Sequence, residues 1–103
     1  MSKSNFVIKN IVISAAADGI GWCIASFFIE QGHTVFLSDI NQQKINEIKK
    51  HPLFNKRIFI ENINASDPGS VKKYFESLTN KLSSIDALIN NVGIAGPTGV
   101  MED

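Results

Sequence analysis

Ile11-Val12-Ile13-Ser14-Ala15-Ala16-Ala17-Asp18-Gly19-Ile20-Gly21 is the stretch on which the reading of this 103-residue chain turns. A β-branched apolar run, within Phe6–Ser14, reads as a buried strand. It passes through small residues into two glycines that open a helix over Gly19–Gln31. On that helix Ile20, Ile24, Phe27 and Gln31 share one face, flanked by Cys23 and Phe28. Trp22, Ala25 and Ile29 make a second apolar stripe, so the helix is expected to be covered over much of its circumference. Gly32 stands where a glycine ends a helix.

Outward from this unit the pattern repeats. Thr34–Ser38 is a second strand that ends at Asp39. Asn41 caps a helix running to Lys50, with Ile45 and Ile48 inward, and His51-Pro52 stops it. Arg57–Ile63 is a third strand. Asp67 and Pro68 are an N-cap and a first-turn proline, followed by Val71, Phe75, Leu78 and Leu82 at helical spacing. Ile85–Asn90 is a fourth strand, and the glycine-rich tail from Val92 reads as a loop. The sequence βαβαβαβ, with strands that lack polar alternation, implies an α/β fold: a parallel sheet with helices on both faces and right-handed crossovers. The expected strand order is 3-2-1-4, part of a doubly wound sheet in which ligands bind beyond the carboxyl ends of strands 1 and 4.

The glycine turn lies at that place. Gly19 lets the backbone approach a pyrophosphate with no Cβ in the way, Gly21 lets the helix pack closely on the sheet, and the helix N-terminus attracts phosphate. A tight strand-to-helix turn with no ligand is the plainer alternative. Asp39, 18 residues beyond Gly21 at the end of the second strand, weighs against it, because an acid there accepts hydrogen bonds from ribose hydroxyls. A 2′-phosphate would meet like charge at Asp39, and its neighbours Ser38 and Ile40 offer no cation. NAD is therefore expected in preference to NADP.

Composition removes several other classes of function. Ten basic residues balance ten acidic ones, which leaves no electrostatic case for nucleic acid. No apolar run reaches the 18 or so residues of a membrane span, and the N-terminus has no signal-peptide pattern. A single cysteine, Cys23, excludes an internal disulfide and fits a reducing cytoplasm. His33, His51 and Cys23 are not at metal-ligand spacing. Cys23 reads as helix packing, Trp22 as packing or a self-association contact, and Lys44, Lys49 and Lys50 as a solvated face.

These motifs together resemble the N-terminal half of the short-chain dehydrogenase/reductase family, over roughly residues 6 to 101. The family's Thr-Gly-x-x-x-Gly-Ile-Gly matches Ser14 to Gly21, its Asn-Asn-Ala-Gly matches Asn90-Asn91-Val92-Gly93, and its Asp-Val pair after the third strand stands as Asn64-Ala65. The resemblance implies a three-layer Rossmann-like sheet and a single, incomplete NAD(P)-binding domain across residues 1–103. It also implies residue roles. Ser14 steadies the turn, Asp18 lies near the adenosine ribose, and Ile20 faces the pyrophosphate and nicotinamide. Asp39 holds the ribose hydroxyls, Asn64 and Ala65 flank the adenine, and Asn90 ties the central strands together. Val92, Gly93 and Ile94 line the ribose beside the nicotinamide.

The chain departs from the family at several points. Ala15 replaces the first glycine, at a cost of about 1 kcal/mol if that position needs φ > 0. Val92 adds bulk beside the cofactor, and Asp18 brings negative charge toward the pyrophosphate. The family's catalytic Tyr-x-x-x-Lys, with its upstream Ser, is absent: the only tyrosine is Tyr74, followed four positions later by Leu78. Tyr74 is expected to be a packing residue remote from the site, and no residue takes a catalytic role. The implied activity is hydride transfer between a nicotinamide and an alcohol/carbonyl pair, with this chain as a fragment or truncated product of the enzyme. Two other readings stand beside it: a silent nucleotide-binding module, and a non-binding remnant. A homo-oligomer is expected, because the fourth strand would otherwise be a bare edge.

Overall fold

The structure is a computed structural model, and it describes residues 7–17 and 19–90. Four strands, β1 (Asn10–Ser14), β2 (Thr34–Asp39), β3 (Ile58–Asn62) and β4 (Ala87–Ile89), alternate with helices α1 (Gly19–Glu30), α2 (Gln42–Ile48) and α3 (Pro68–Lys81). All pairings are parallel and the order is β3-β2-β1-β4, as the alternation of elements implied.

The pleat divides the core. Ile11 and Ile13 of β1, Val35 and Leu37 of β2, and Ile58 and Ile60 of β3 point to one face. There they pack with Ala25 and Ile29 of α1 and Ile45 and Ile48 of α2. Val12 and Phe36 point to the other face, against Tyr74 and Leu78 of α3. β1 and β2 are thus covered on both faces, which is why they carry no polar alternation. Phe36 and Phe59 stack across adjacent strands on the α3 side, with ring centroids 5.1 Å apart.

The helix ends follow the expected chemistry. Asn41 accepts from the Lys44 amide at 3.1 Å and Asp67 accepts from Gly69 at 3.1 Å, each capping its helix. The C-terminus of α1 has a cap that comes from a residue distant in sequence, just ahead of β3. The Arg57 guanidinium donates to the Ile29 carbonyl and, at 3.4 Å, to the His33 carbonyl, so a fixed positive charge sits at the negative end of the helix dipole.

Two expectations are corrected. The strands are shorter than the apolar runs suggested: β1 begins at Asn10, and β4 is only Ala87–Ile89. Ahead of β4, Asp86 joins β1 through its carboxylate, which accepts from the Asn10 amide at 2.8 Å. The covering of α1 is also narrower than expected. Its buried residues are Gly21, Ala25 and Ile29, while Ile20 is 66% and Phe27 56% exposed and Cys23 is exposed. The close approach at Gly21 selects which stripe meets the sheet, and the Ile20/Phe27 stripe is left on the outside.

Candidate functional site

The carboxyl ends of the strands converge on one edge of the sheet, and the glycine turn is built there by three specific devices. Ala15 takes φ +52° and Gly19 φ +57°, both in the left-handed region. Gly21 lies so close to the turn that a Cβ there would stand 2.2 Å from the Ala15 carbonyl oxygen. The third device is Asp39. Its Oδ2 accepts from the Ala17 amide at 2.9 Å and its Oδ1 accepts from the Asn41 amide at 2.9 Å. The turn after β1 is therefore fastened to the end of β2 by a carboxylate, and the Ala16 amide adds a bond to the Ser38 carbonyl at 3.1 Å.

Ala15 carries a conformational cost that glycine would not. An L-residue in the left-handed region is disfavoured by roughly 1–2 kcal/mol. Ala15→Gly is expected to stabilise the chain by about 1 kcal/mol after glycine's greater chain entropy is set against that relief. Thermal denaturation of the two proteins checks this; an unchanged or lower midpoint would show that Ala15 is not strained.

The other candidate residues fall into three groups. Ser14 and Asn90 are brought together: the Ser14 hydroxyl donates to Asn90 Oδ1 at 3.0 Å, which ties the ends of β1 and β4. Ser14, Ala65 and Asn90 also line one cavity of about 170 Å³, together with Ser38 and with Val71, Tyr74 and Phe75 of α3. Asn64 is exposed, and its Oδ1 accepts from the Ser66 amide at 3.0 Å and the Ser66 hydroxyl at 2.7 Å, so it braces the loop after β3. Ile20 is exposed on the first turn of α1. Asp18, Val92, Gly93 and Ile94 lie outside the described residues.

Two residues read as uninvolved lie closer to this region than expected. Tyr74 walls the same cavity as Ser14 and Asn90, buried, with its hydroxyl donating to the Leu37 carbonyl at 3.4 Å. It does pack, as expected, but it is not remote. Its signal in the sequence was the spacing Val71, Tyr74, Leu78, one helical face. Lys44 is half-buried rather than solvated. With Lys50, Ala17, Trp22 and His51 it lines a second cleft, between α1 and α2, that reaches the glycine turn.

Burial, and secondarily the charge of Glu61, push the Tyr74 phenol well above the ordinary tyrosine range. The folded chain thus holds that proton more tightly than the unfolded chain does. Its contribution is complete below the unfolded value of about 10 and is lost as pH rises beyond it. Denaturant unfolding between pH 8 and 11 is expected to show a steeper alkaline loss of stability in the wild type than in Tyr74→Phe. Parallel curves would overturn this.

The residues present suit a dinucleotide. An added Cβ on Gly19 would meet nothing within 4 Å, so the backbone is open where a phosphate would approach the start of α1. Asp39 stands at the end of the neighbouring strand, bonded to the turn through the Ala17 amide, and the cavity beside Ala65 supplies an apolar wall.

Comparison with known proteins places this geometry. The sequence model described as short chain dehydrogenase matches residues 9–103. The chain is 28% identical, over 85 residues, to the NADP-dependent 3-hydroxy acid dehydrogenase YdfG of Escherichia coli, covering 82% of this chain and 34% of that protein. It is 31% identical over 94 residues to the meso-2,3-butanediol dehydrogenase of Serratia marcescens, covering 91% of this chain and 37% of that one. Among solved structures, serine dehydrogenase from Escherichia coli superposes with a TM-score of 0.72 at 29% identity, over 84% of this chain and 39% of that one. The chain spans about a third of the length of the curated relatives it matches. With strand order, glycine turn and family model in agreement, the chain belongs to the short chain dehydrogenase family and carries the NAD(P)-binding half of its Rossmann fold.

Proposed function

We propose that this chain binds NAD(H) as the cofactor half of an oxidoreductase that moves hydride between a nicotinamide and an alcohol/carbonyl pair. The observation that carries the reading is the Asp39 carboxylate at the end of β2, bonded to the Ala17 amide of the glycine turn. It sets an anion beside the turn, where it welcomes two ribose hydroxyls and repels a 2′-phosphate. When bound, the nicotinamide supplies the hydride chemistry. The chain's own part is to hold the pyrophosphate at the start of α1 and the ribose at Asp39. No Tyr-x-x-x-Lys is present to move the proton, so the 103-residue polypeptide alone is expected to turn over no ketone.

The test is a calorimetric titration with NADH and NADPH, read in parallel through the fluorescence of Trp22. Saturable NADH binding, tighter than NADPH by about tenfold, is expected. That ratio corresponds to about 1.4 kcal/mol of charge repulsion and lost ribose contacts. No saturable signal by either method would remove the reading and leave a non-binding remnant. A second reading, preference for NADP, is favoured by one observation: two lysines, Lys44 and Lys50, against one acid, Glu47, line the cleft that meets Ala17. Tighter binding of NADPH, lost in Lys44→Ala, would establish it.

The cytoplasm is the compartment that suits this cofactor and the single exposed cysteine. No helix among the described residues is long and apolar enough to cross a membrane. Self-association is the further expectation. Among the described residues β4 is an edge strand, and Leu88 on it is 58% exposed. Light scattering is expected to show a species larger than the monomer, reduced by Leu88→Lys. A monomer at all concentrations would exclude it.

A further inference from the structure

We propose that Asn62 is a positioning residue for the ribose acid, acting through the β2–α2 turn. The proposal rests on the reading of Asp39 as a ribose ligand, and it concerns how that carboxylate is held in place.

The ladder sets Asn62 of β3 directly opposite Asp39 of β2. Paired residues of parallel strands project to the same face, so the Asn62 side chain rises beside the turn that follows Asp39. There its amide nitrogen donates to Gln42 Oε1 at 2.9 Å and to the Ile40 carbonyl at 3.5 Å. Gln42 in turn donates through Nε2 to Asn46 Oδ1 at 2.9 Å, one turn along α2. From the other side, Asp39 Oδ1 accepts from the Asn41 amide, and the Asp39 carbonyl accepts from the Ile63 amide at 3.0 Å.

Residues 40, 41 and 42 are thus each gripped, the middle one by Asp39 itself and the outer two by Asn62. The consequence is geometric. The Asp39 carboxylate is shared between the Asn41 amide and the Ala17 amide. If the turn drifts outward, Oδ1 follows Asn41 and Oδ2 leaves Ala17, and the glycine turn and the ribose acid lose their common register. Asn62 supplies the restraint on the outer side. Without it the α2 N-terminus keeps its main-chain connection, the shared carboxylate and the core packing of Ile45, and loses its polar tie to β3.

The experiment uses the full chain and ADP-ribose, which carries the adenosine ribose and the pyrophosphate without the nicotinamide. Asn62→Ala is expected to raise the Kd for ADP-ribose about two- to fivefold, the scale of one or two exposed hydrogen bonds. Gln42→Ala is expected to do the same, while Gln42→Glu, which keeps an acceptor for the Asn62 amide, is expected to stay near wild type. In an Asp39→Ala background the Asn62→Ala penalty is expected to vanish, because the carboxylate it positions is gone. A penalty of equal size in both backgrounds, or none in the wild type, overturns the proposal.

A second readout needs no ligand. Amide exchange at Ala17 is expected to quicken in Asn62→Ala while exchange in β1 is unchanged. An unchanged Ala17 rate overturns the proposal, whatever ADP-ribose does. If the wild type binds no ADP-ribose, the cofactor reading fails, and the exchange rate alone decides the role of Asn62.

Discussion

Gly21→Ala is expected to cost this chain about 3 kcal/mol or more and to abolish cofactor binding with it. The added methyl would stand 2.2 Å from the Ala15 carbonyl oxygen, 2.8 Å from Ala16 Cα and 3.0 Å from the Ala15 carbonyl carbon. All three are main-chain atoms, so no rotamer change relieves the clash. Either α1 must slide off the sheet or the turn must open. Sliding separates Ala25 and Ile29 from the core they fill. Opening breaks the Ala17 bond to Asp39. Overpacking a tight contact costs about 1–3 kcal/mol where neighbours can adjust, and more where they cannot. Against a total stability of roughly 5–15 kcal/mol for a domain this size, that is a large share. Gly19→Ala is the control. There the methyl meets open space, and only the φ of +57° resists it. It is expected to fold, at about 1 kcal/mol below wild type, while binding NADH more weakly, because its methyl occupies the approach to the helix start. Chemical denaturation and NADH titration on both variants separate the two roles. A Gly21→Ala protein as stable as wild type would show that the contact is not tight.

The two glycines show what could be read from the sequence and what could not. Their spacing after Ile11-Val12-Ile13 was enough to predict strand, turn and helix, and the alternation of elements was enough to order the sheet. Those inferences rest on local period and on a handedness rule that all L-chains obey. The face that α1 presents was harder. Two apolar stripes of similar strength run along it, and only the approach at Gly21 decides between them. That distance belongs to the packed structure. The extent of β4 is hard to read for a related reason: apolar residues from Ile85 onward fit a strand, but the ladder begins at Ala87. Near the turn, the places of Ser14, Asp39 and Asn90 are legible because Ser14 and Asp39 end their strands and Asn90 follows one. The place of Tyr74 is not legible, because its distance from the turn in sequence, across β2, α2 and β3, says nothing of the crossover that returns α3 beneath β1. Nothing in the sequence singles out Asn62. Its partner, Asp39, is 23 residues away, and only the register of β2 with β3 sets them side by side.

The second large effect is expected at Asp39 itself. Asp39→Ala removes the acceptor for two amides and the anion for the ribose at once. The Ala17 amide belongs to a buried residue, and leaving such a donor unpaired costs about 1–3 kcal/mol. Solvent reaches the Asn41 amide more readily, since that residue is exposed, so its loss is the smaller part. A charge-assisted hydrogen bond to a ribose hydroxyl contributes about 1.5–3 kcal/mol, and two such bonds are at stake. NADH affinity is therefore expected to fall about 100-fold, equivalent to about 2.7 kcal/mol, with a stability loss of about 1–2 kcal/mol. NADPH should lose less, because the like charge facing its 2′-phosphate disappears together with the ribose contact. The ratio of the two affinities is then expected to move toward NADPH by about tenfold. Asp39→Asn divides the effects: its oxygen retains one amide, but its NH₂ group meets the other donor head-on, so it is expected to bind NADH little better than the alanine variant. Calorimetric titration of both cofactors against the three proteins decides the matter. An Asp39→Ala chain that keeps NADH affinity within threefold of wild type would place the ribose elsewhere and leave Asp39 as a purely structural clasp between β2 and the turn after β1.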